Sequence, residues 1–281
     1  MDMARKKNSS ETPSRHVNRN AQQDKTGRGK VKDRHGSRTQ AGTDSIMSDR
    51  AAASEDYNLS WFKPTEAQRE IIHSMCVNDL TACQGSSGVG KSTTAIWQAL
   101  NEMKRGNYKR IVFIKTPAQV GDDDLGALKG DVDTKLFMHW VSMKSIFHTF
   151  MSKQKLEAEE RAGRILFTIP NFIAGQTLDN TLIIIDESQL LSPKTVKLLL
   201  ERAGESSRVV IMGDFYQQYA TKYRKDGFTD FVEKITYICE ETGERLSKED
   251  TMGFVQLHAN ENMRSALSRR IVELYEENSD I

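Results

Sequence analysis

Two stretches of this chain carry residues whose types and spacing could do chemistry. The first is Gly85-Ser86-Ser87-Gly88-Val89-Gly90-Lys91-Ser92-Thr93, which fits G-x-x-x-x-G-K-[ST]. In such a loop the backbone N–H groups wrap phosphate oxygens, the lysine reaches the β- and γ-phosphates, and the final hydroxyl ligates Mg²⁺. The second is Asp186-Glu187, two carboxylates that close the aliphatic run Leu182-Ile183-Ile184-Ile185. A buried parallel strand delivers acids to its carboxyl edge in this way. Asp186 can share the Mg²⁺ shell with Ser92, and Glu187 can polarise an attacking water. Each motif supplies what the other lacks, so together they point to ATP bound with Mg²⁺ and hydrolysed.

Three further residues suit the same chemistry. Gln68 lies in a Pro64-Thr65-x-x-Gln68 arrangement upstream of the loop, where a side-chain amide could pair with the donor and acceptor of an adenine edge. Gln217 follows Gly213-Asp214, just past an expected strand tip, and could sense the γ-phosphate. Arg264 precedes the last expected helix and could reach a γ-phosphate as a finger. Lys91, Glu187, Gln217 and Arg264 are therefore the candidate catalytic groups.

The elements that must position these groups are legible as hydrophobic periods. Residues 80–83 read as a short buried strand and 92–103 as a helix, so the glycine loop sits between strand and helix with the positive helix end toward the phosphates. Continuous apolar runs at 110–114, 181–185 and 208–212 read as buried parallel strands, and 164–169 and 254–258 as further strands. Thr65 caps an expected helix over 66–75, and Ser192-Pro193 opens one that runs to about 202. A helix over 134–150 is expected to bury Phe137, Trp140, Val141, Met143, Ile146 and Phe147. The last helix, over 265–275, is expected to turn Leu267, Ile271 and Leu274 inward.

Composition sets the outer bounds. A chain of 281 residues with 37% hydrophobic content can bury a sizeable core. Residues 1–50 hold twelve Lys or Arg against six Asp or Glu, whereas 51–281 hold 28 against 33. Residues 1–55, almost free of aromatic and β-branched side chains, read as a disordered basic tail suited to nucleic-acid phosphates, and 56–281 as the folded domain. Cys76, Cys83 and Cys239 are isolated and make no metal spacing, so they read as reduced thiols of a cytoplasmic protein. No apolar run is long enough to cross a membrane. The acidic loop Asp122-Asp123-Asp124 matches no Ca²⁺ pattern and reads as solvated. From Tyr216 the chain interleaves aromatics and cations, Tyr216, Tyr219, Lys222, Tyr223, Arg224, Lys225 and Phe228, a mixture suited to single-stranded nucleic acid.

With these motifs assembled, the chain from about Lys63 to Tyr275 resembles the PhoH-like ATPases, relatives of the superfamily-one helicase motor domain. The resemblance rests on Gly85 to Thr93, on Pro117 with Gly126, Gly130 and Asp131, and on Gly175-Gln176-Thr177-Leu178. It continues in Asp186-Glu187-Ser188-Gln189, Gly213-Asp214-Phe215-Tyr216-Gln217 and Asn262-Met263-Arg264. It implies a RecA-like α/β fold, ATP hydrolysis, RNA or single-stranded DNA as partner, and self-association into ring-shaped hexamers. Lys115, Thr116, Gln176 and Thr177 then join the aromatic and basic segment as candidate polynucleotide contacts. The sequence departs from the family pattern where arginines are replaced by Thr116, Ala174 and Gln176 and a His-Pro pair by Ser265-Ala266. This divergence fits a bacteriophage source. A single motor domain also implies that Arg264 acts across a subunit boundary. The rival reading is a nucleotide-gated module that binds nucleic acid or protein without motor activity. A phosphate-loop kinase fits poorly, because no lid arginine cluster is visible.

Overall fold

The computed structural model describes residues 55–116, 132–173, 175–217, 225–258, 261 and 265–277. Residues 1–54 of the expected basic tail, the Asp122–Asp124 loop, Tyr219 to Arg224 and Arg264 lie outside these residues.

Thr65 starts the ordered core with a full capping box. Its side chain accepts from the Gln68 backbone N–H while the Gln68 side chain accepts from the Thr65 N–H, so α1 (Glu66–Val77) begins with orphan donors satisfied. The chain then alternates strand and helix: β1 (Leu80–Gln84), α2 (Lys91–Lys104), β2 (Arg110–Lys115), α3 (Val132–Phe147), α4 (Lys153–Arg161) and β3 (Ile165–Thr168). There follow β4 (Thr181–Asp186), α5 (Pro193–Leu200), β5 (Arg208–Gly213), α6 (Gly227–Ile235), the hairpin β6 (Thr236–Ile238) and β7 (Arg245–Ser247), β8 (Met252–Gln256) and α7 (Ala266–Glu277).

Six strands form one sheet in the order β3-β2-β4-β5-β1-β8, and every adjacent pair is parallel. Strand parity divides the core. Ile111, Phe113, Leu182, Ile184, Val210 and Met212 face the layer of α1 to α4, with Ile71, Leu100, Phe147 and Phe150. Val112, Ile114, Ile183, Ile185, Val209 and Ile211 face α5 and α6, with Leu199, Phe228 and Val232. Cys83, inside β1, is fully buried, and burial pushes its thiol up to about 12. This is the RecA-like α/β fold: a parallel sheet covered on both faces, with the phosphate-loop strand β1 and the acid strand β4 separated by β5.

Three expectations need correction. In α3, Met143 and Phe147 are buried, but Phe137 is 61% and Val141 46% exposed, because a helix apolar on several sides can turn only one stripe to the core. In α7, Leu267, Ile271 and Leu274 share a stripe, yet are 70%, 45% and 41% exposed. Helix α6 and the β6–β7 hairpin were not anticipated. Asp226 caps α6 through the Thr229 N–H, and Phe228, Val232 and Ile235 bury its face, so Phe228 is core and not a nucleic-acid contact.

Candidate functional site

The sheet converges on one cavity of about 610 Å³ at the carboxyl edge of its strands. The loop after β1 forms its floor. Gly85 donates its N–H to the Gly213 carbonyl at 3.2 Å, and Gly88 and Gly90 take φ of +93° and +87°, which side chains resist. A Cβ on Gly90 would also lie 2.5 Å from Gln68 Nε2. Gly90 is the N-cap of α2, so the unsatisfied N–H groups of that helix open into the cavity beside Lys91, Ser92 and Thr93. Lys91 folds back on its own loop, donating to the carbonyls of Gly85 and Ser86.

The acids stand opposite. Asp186 is 3% exposed at the end of β4, and its two oxygens each accept from Ser92 Oγ at 3.2 Å. Its Oδ1 also accepts the Glu187 N–H at 3.1 Å. Glu187 sits in the left-handed region, φ 55° and ψ 41°, a conformation costly for a residue with a side chain. Gln189 Nε2 donates to Glu187 Oε2 at 2.8 Å. Polar atoms without partners cluster at the same edge: among the described residues, buried Gln84 Oε1, Ser86 Oγ, Thr116 Oγ1 and Gln189 Oε1 have none. Native interiors rarely tolerate this away from a binding site.

A search by sequence matches the family model "PhoH-like protein" over residues 63–276. The chain belongs to the PhoH-like protein family. Among its curated relatives are the PhoH-like protein of Bacillus subtilis (strain 168), 28% identical over 75% of this chain and 63% of that protein, and the PhoH-like protein of Synechocystis sp., 26% identical over 75% and 61%. The chain thus spans less than two thirds of the length of these relatives. Among solved structures, it is similar to the ATPase domain of the Thermus phage P74-26 large terminase, with a TM-score of 0.42 and 16% identity over 78% of this chain and 89% of that one.

In this PhoH-like protein the sequence candidates separate into three groups. Gly88, Gly90, Lys91, Ser92, Thr93, Ser87, Asp186, Glu187, Gln217 and Gln68 all line the one cavity. Val89 is buried beneath it. Gln68, however, is 1% exposed, and its amide is engaged: Oε1 accepts from Thr65 and Nε2 donates to the Val89 carbonyl at 3.2 Å. In this arrangement it ties the phosphate loop to α1. Trp61, Phe62 and Lys63 form the neighbouring wall, with Trp61 half exposed and stacked on Phe150.

The second group, the expected polynucleotide contacts, is dispersed. Lys115 points into the cavity, with Nζ 3.3 Å from Asp186 Oδ2 and 3.8 Å from Glu187 Oε1. Gln176 and Thr177 are exposed, and Thr177 packs beside Gly204, near the edge from which β4 and β5 start, away from the phosphate loop. The third group, Tyr219, Lys222, Tyr223, Arg224 and Arg264, lies outside the described residues. Lys115 was named only as a polynucleotide contact, and its place in the cavity, like Gln189 and the Trp61 wall, was missed by sequence reasoning. The signal for Lys115 was available only through register, since β2 and β4 pair so that Lys115 stands opposite Asp186. Among the described residues no helix is long and apolar enough to cross a membrane.

Proposed function

We propose that this PhoH-like protein binds ATP with Mg²⁺ and hydrolyses it, using the turnover to act on RNA or single-stranded DNA as an oligomer. The observation that carries the reading is the Ser92 hydroxyl 3.2 Å from both oxygens of Asp186, with Glu187 at the same strand tip above the phosphate loop. The hydroxyl and carboxylate are hard oxygen donors, the set Mg²⁺ takes together with phosphates and water. Ser92 and Asp186 would hold it. When bound, it neutralises charge on the β- and γ-phosphates.

The loop N–H groups and the α2 N-terminus grip the phosphates, and Lys91 leaves its loop carbonyls for the γ-phosphate. Glu187 orients and polarises water for in-line attack, accepting its proton as the bond forms. Gln217 and, across a subunit boundary, Arg264 complete the charge shell. The exposed stripe of α7, which follows Arg264 in the chain, is consistent with such a boundary.

The test is phosphate release measured against protein concentration, with and without RNA or single-stranded DNA. The expected rate per subunit rises with both. A rate indifferent to both removes the assembly and the motor. Absence of release with nucleotide binding retained removes the ATPase and leaves a nucleotide-gated binding module.

A further inference from the structure

Lys115 closes β2 directly opposite Asp186, and its side chain, 19% exposed, places the ammonium between two carboxylates. We propose that it is the internal counter-ion of the acid pair: it offsets one of the two negative charges of Asp186 and Glu187 until a divalent cation arrives with the nucleotide, and it then positions Glu187. The inference rests on the ATPase reading and names a residue that the phosphate-loop and acid motifs do not contain.

The donor inventory of Asp186 carries the argument. A carboxylate offers about four lone-pair sites. Here they meet Ser92 Oγ on both oxygens, the Glu187 N–H on Oδ1, and Lys115 Nζ on Oδ2. A cation entering this set must displace a donor. Ser92 remains as a co-ligand and the Glu187 N–H is main chain, so the flexible lysine is the donor that leaves. Two cations also repel at such range.

What the ammonium keeps is Glu187 Oε1, at 3.8 Å. Gln189 Nε2 holds the other oxygen at 2.8 Å. The carboxylate is thereby held from both sides, which fixes the plane in which it meets water. The backbone supports the same geometry, because His139 Nε2 lies 3.0 Å from the Lys115 carbonyl and ties the β2 tip to α3. Lys115 is thus a positioning residue that opposes metal entry and favours turnover. A purely structural lysine would not move those two properties in opposite directions.

The experiment titrates Mn²⁺ into the full chain with ADP present, reading free Mn²⁺ by electron paramagnetic resonance, and pairs this with turnover under saturating Mg²⁺ and ATP. Lys115→Met, which keeps the aliphatic stem, is expected to bind Mn²⁺ roughly three- to tenfold more tightly. Its turnover is expected to fall about tenfold or more. Lys115→Arg restores both toward wild type, and Lys115→Gln serves if the Met variant does not fold. Mn²⁺ affinity that is unchanged or weaker without the charge overturns the proposal, as does tighter Mn²⁺ with undiminished turnover. If the wild type hydrolyses no ATP, the ATPase reading fails, and the Mn²⁺ titration still decides the counter-ion.

Discussion

Two of the acid–base clusters among the described residues are built to opposite ends. In α4, Glu159 is 1% exposed and saturated: Lys155 Nζ and Arg164 Nη2 each reach Oε1 at 2.9 Å, and Arg164 Nε donates to Oε2. Burial pushes the Glu159 carboxyl up, but the hydrogen bonds from Arg164 and Lys155 outweigh it and hold the group below its ordinary value. At the β4 tip, Asp186 is nearly as buried, yet its contacts are longer, 3.2 and 3.3 Å, and partnerless polar atoms surround it. The first cluster is finished without a ligand. The second is satisfied only loosely, as a set of groups that must exchange partners during a reaction would be.

The largest effects should come from breaking either cluster at its acid. Glu159→Ala removes the buried carboxylate that Lys155 and Arg164 both hold and should cost about 3–5 kcal/mol of stability, read by denaturant unfolding. Glu187→Gln should lower turnover by about 10²- to 10⁴-fold while nucleotide affinity is kept, read by phosphate release and equilibrium binding. Exchanging the two outcomes would invert the comparison. The pH dependence separates the clusters further. Because the folded Glu159 lies below its unfolded value near 4.5, its contribution is complete above that pH and is lost as pH falls through the folded value. The stability gap between wild type and Glu159→Gln should therefore close in acid.

A smaller effect tests the strain at the site. Glu187→Gly relieves the left-handed backbone and should stabilise the fold by roughly 0.5–1 kcal/mol while removing turnover. The last concerns Gln68. Gln68→Ala deletes the side-chain hydrogen bonds to the Thr65 N–H and the Val89 carbonyl and should cost about 1 kcal/mol of stability, with weaker nucleotide binding as the loop loosens. If instead only discrimination between ATP and GTP changes, Gln68 reads the base and does not tether the loop.

The same contrast explains what was legible in the sequence. Gly88, Gly90 and Lys91 stand out because a phosphate-wrapping loop requires those residue types at fixed offsets. The aliphatic run into Asp186-Glu187 stands out because a strand covered on both faces must be apolar throughout. Those are local constraints. The place of Lys115 beside Asp186 was not legible, because its direction depends on strand register, which pairs residues 71 apart in the chain. The stripes of α3 and α7 announce an apolar face but not what covers it, so Phe137, Val141, Leu267, Ile271 and Leu274 were placed inside. Helix α6 had its own signals, Asp226 as a cap and apolar residues at 228, 232 and 235, but the neighbouring aromatics and cations suggested a binding segment instead.

The buried thiol of Cys83 turns the strand before the phosphate loop into a clock. With its thiol held near 12 and no solvent access, Cys83 should resist alkylation until β1 detaches, whereas exposed Cys76 should label without that opening. A nucleotide that clamps the loop lowers the frequency of that detachment. Alkylation of Cys83 in the native protein would then report occupancy of the site as a slowed rate, without any need for the reaction to turn over.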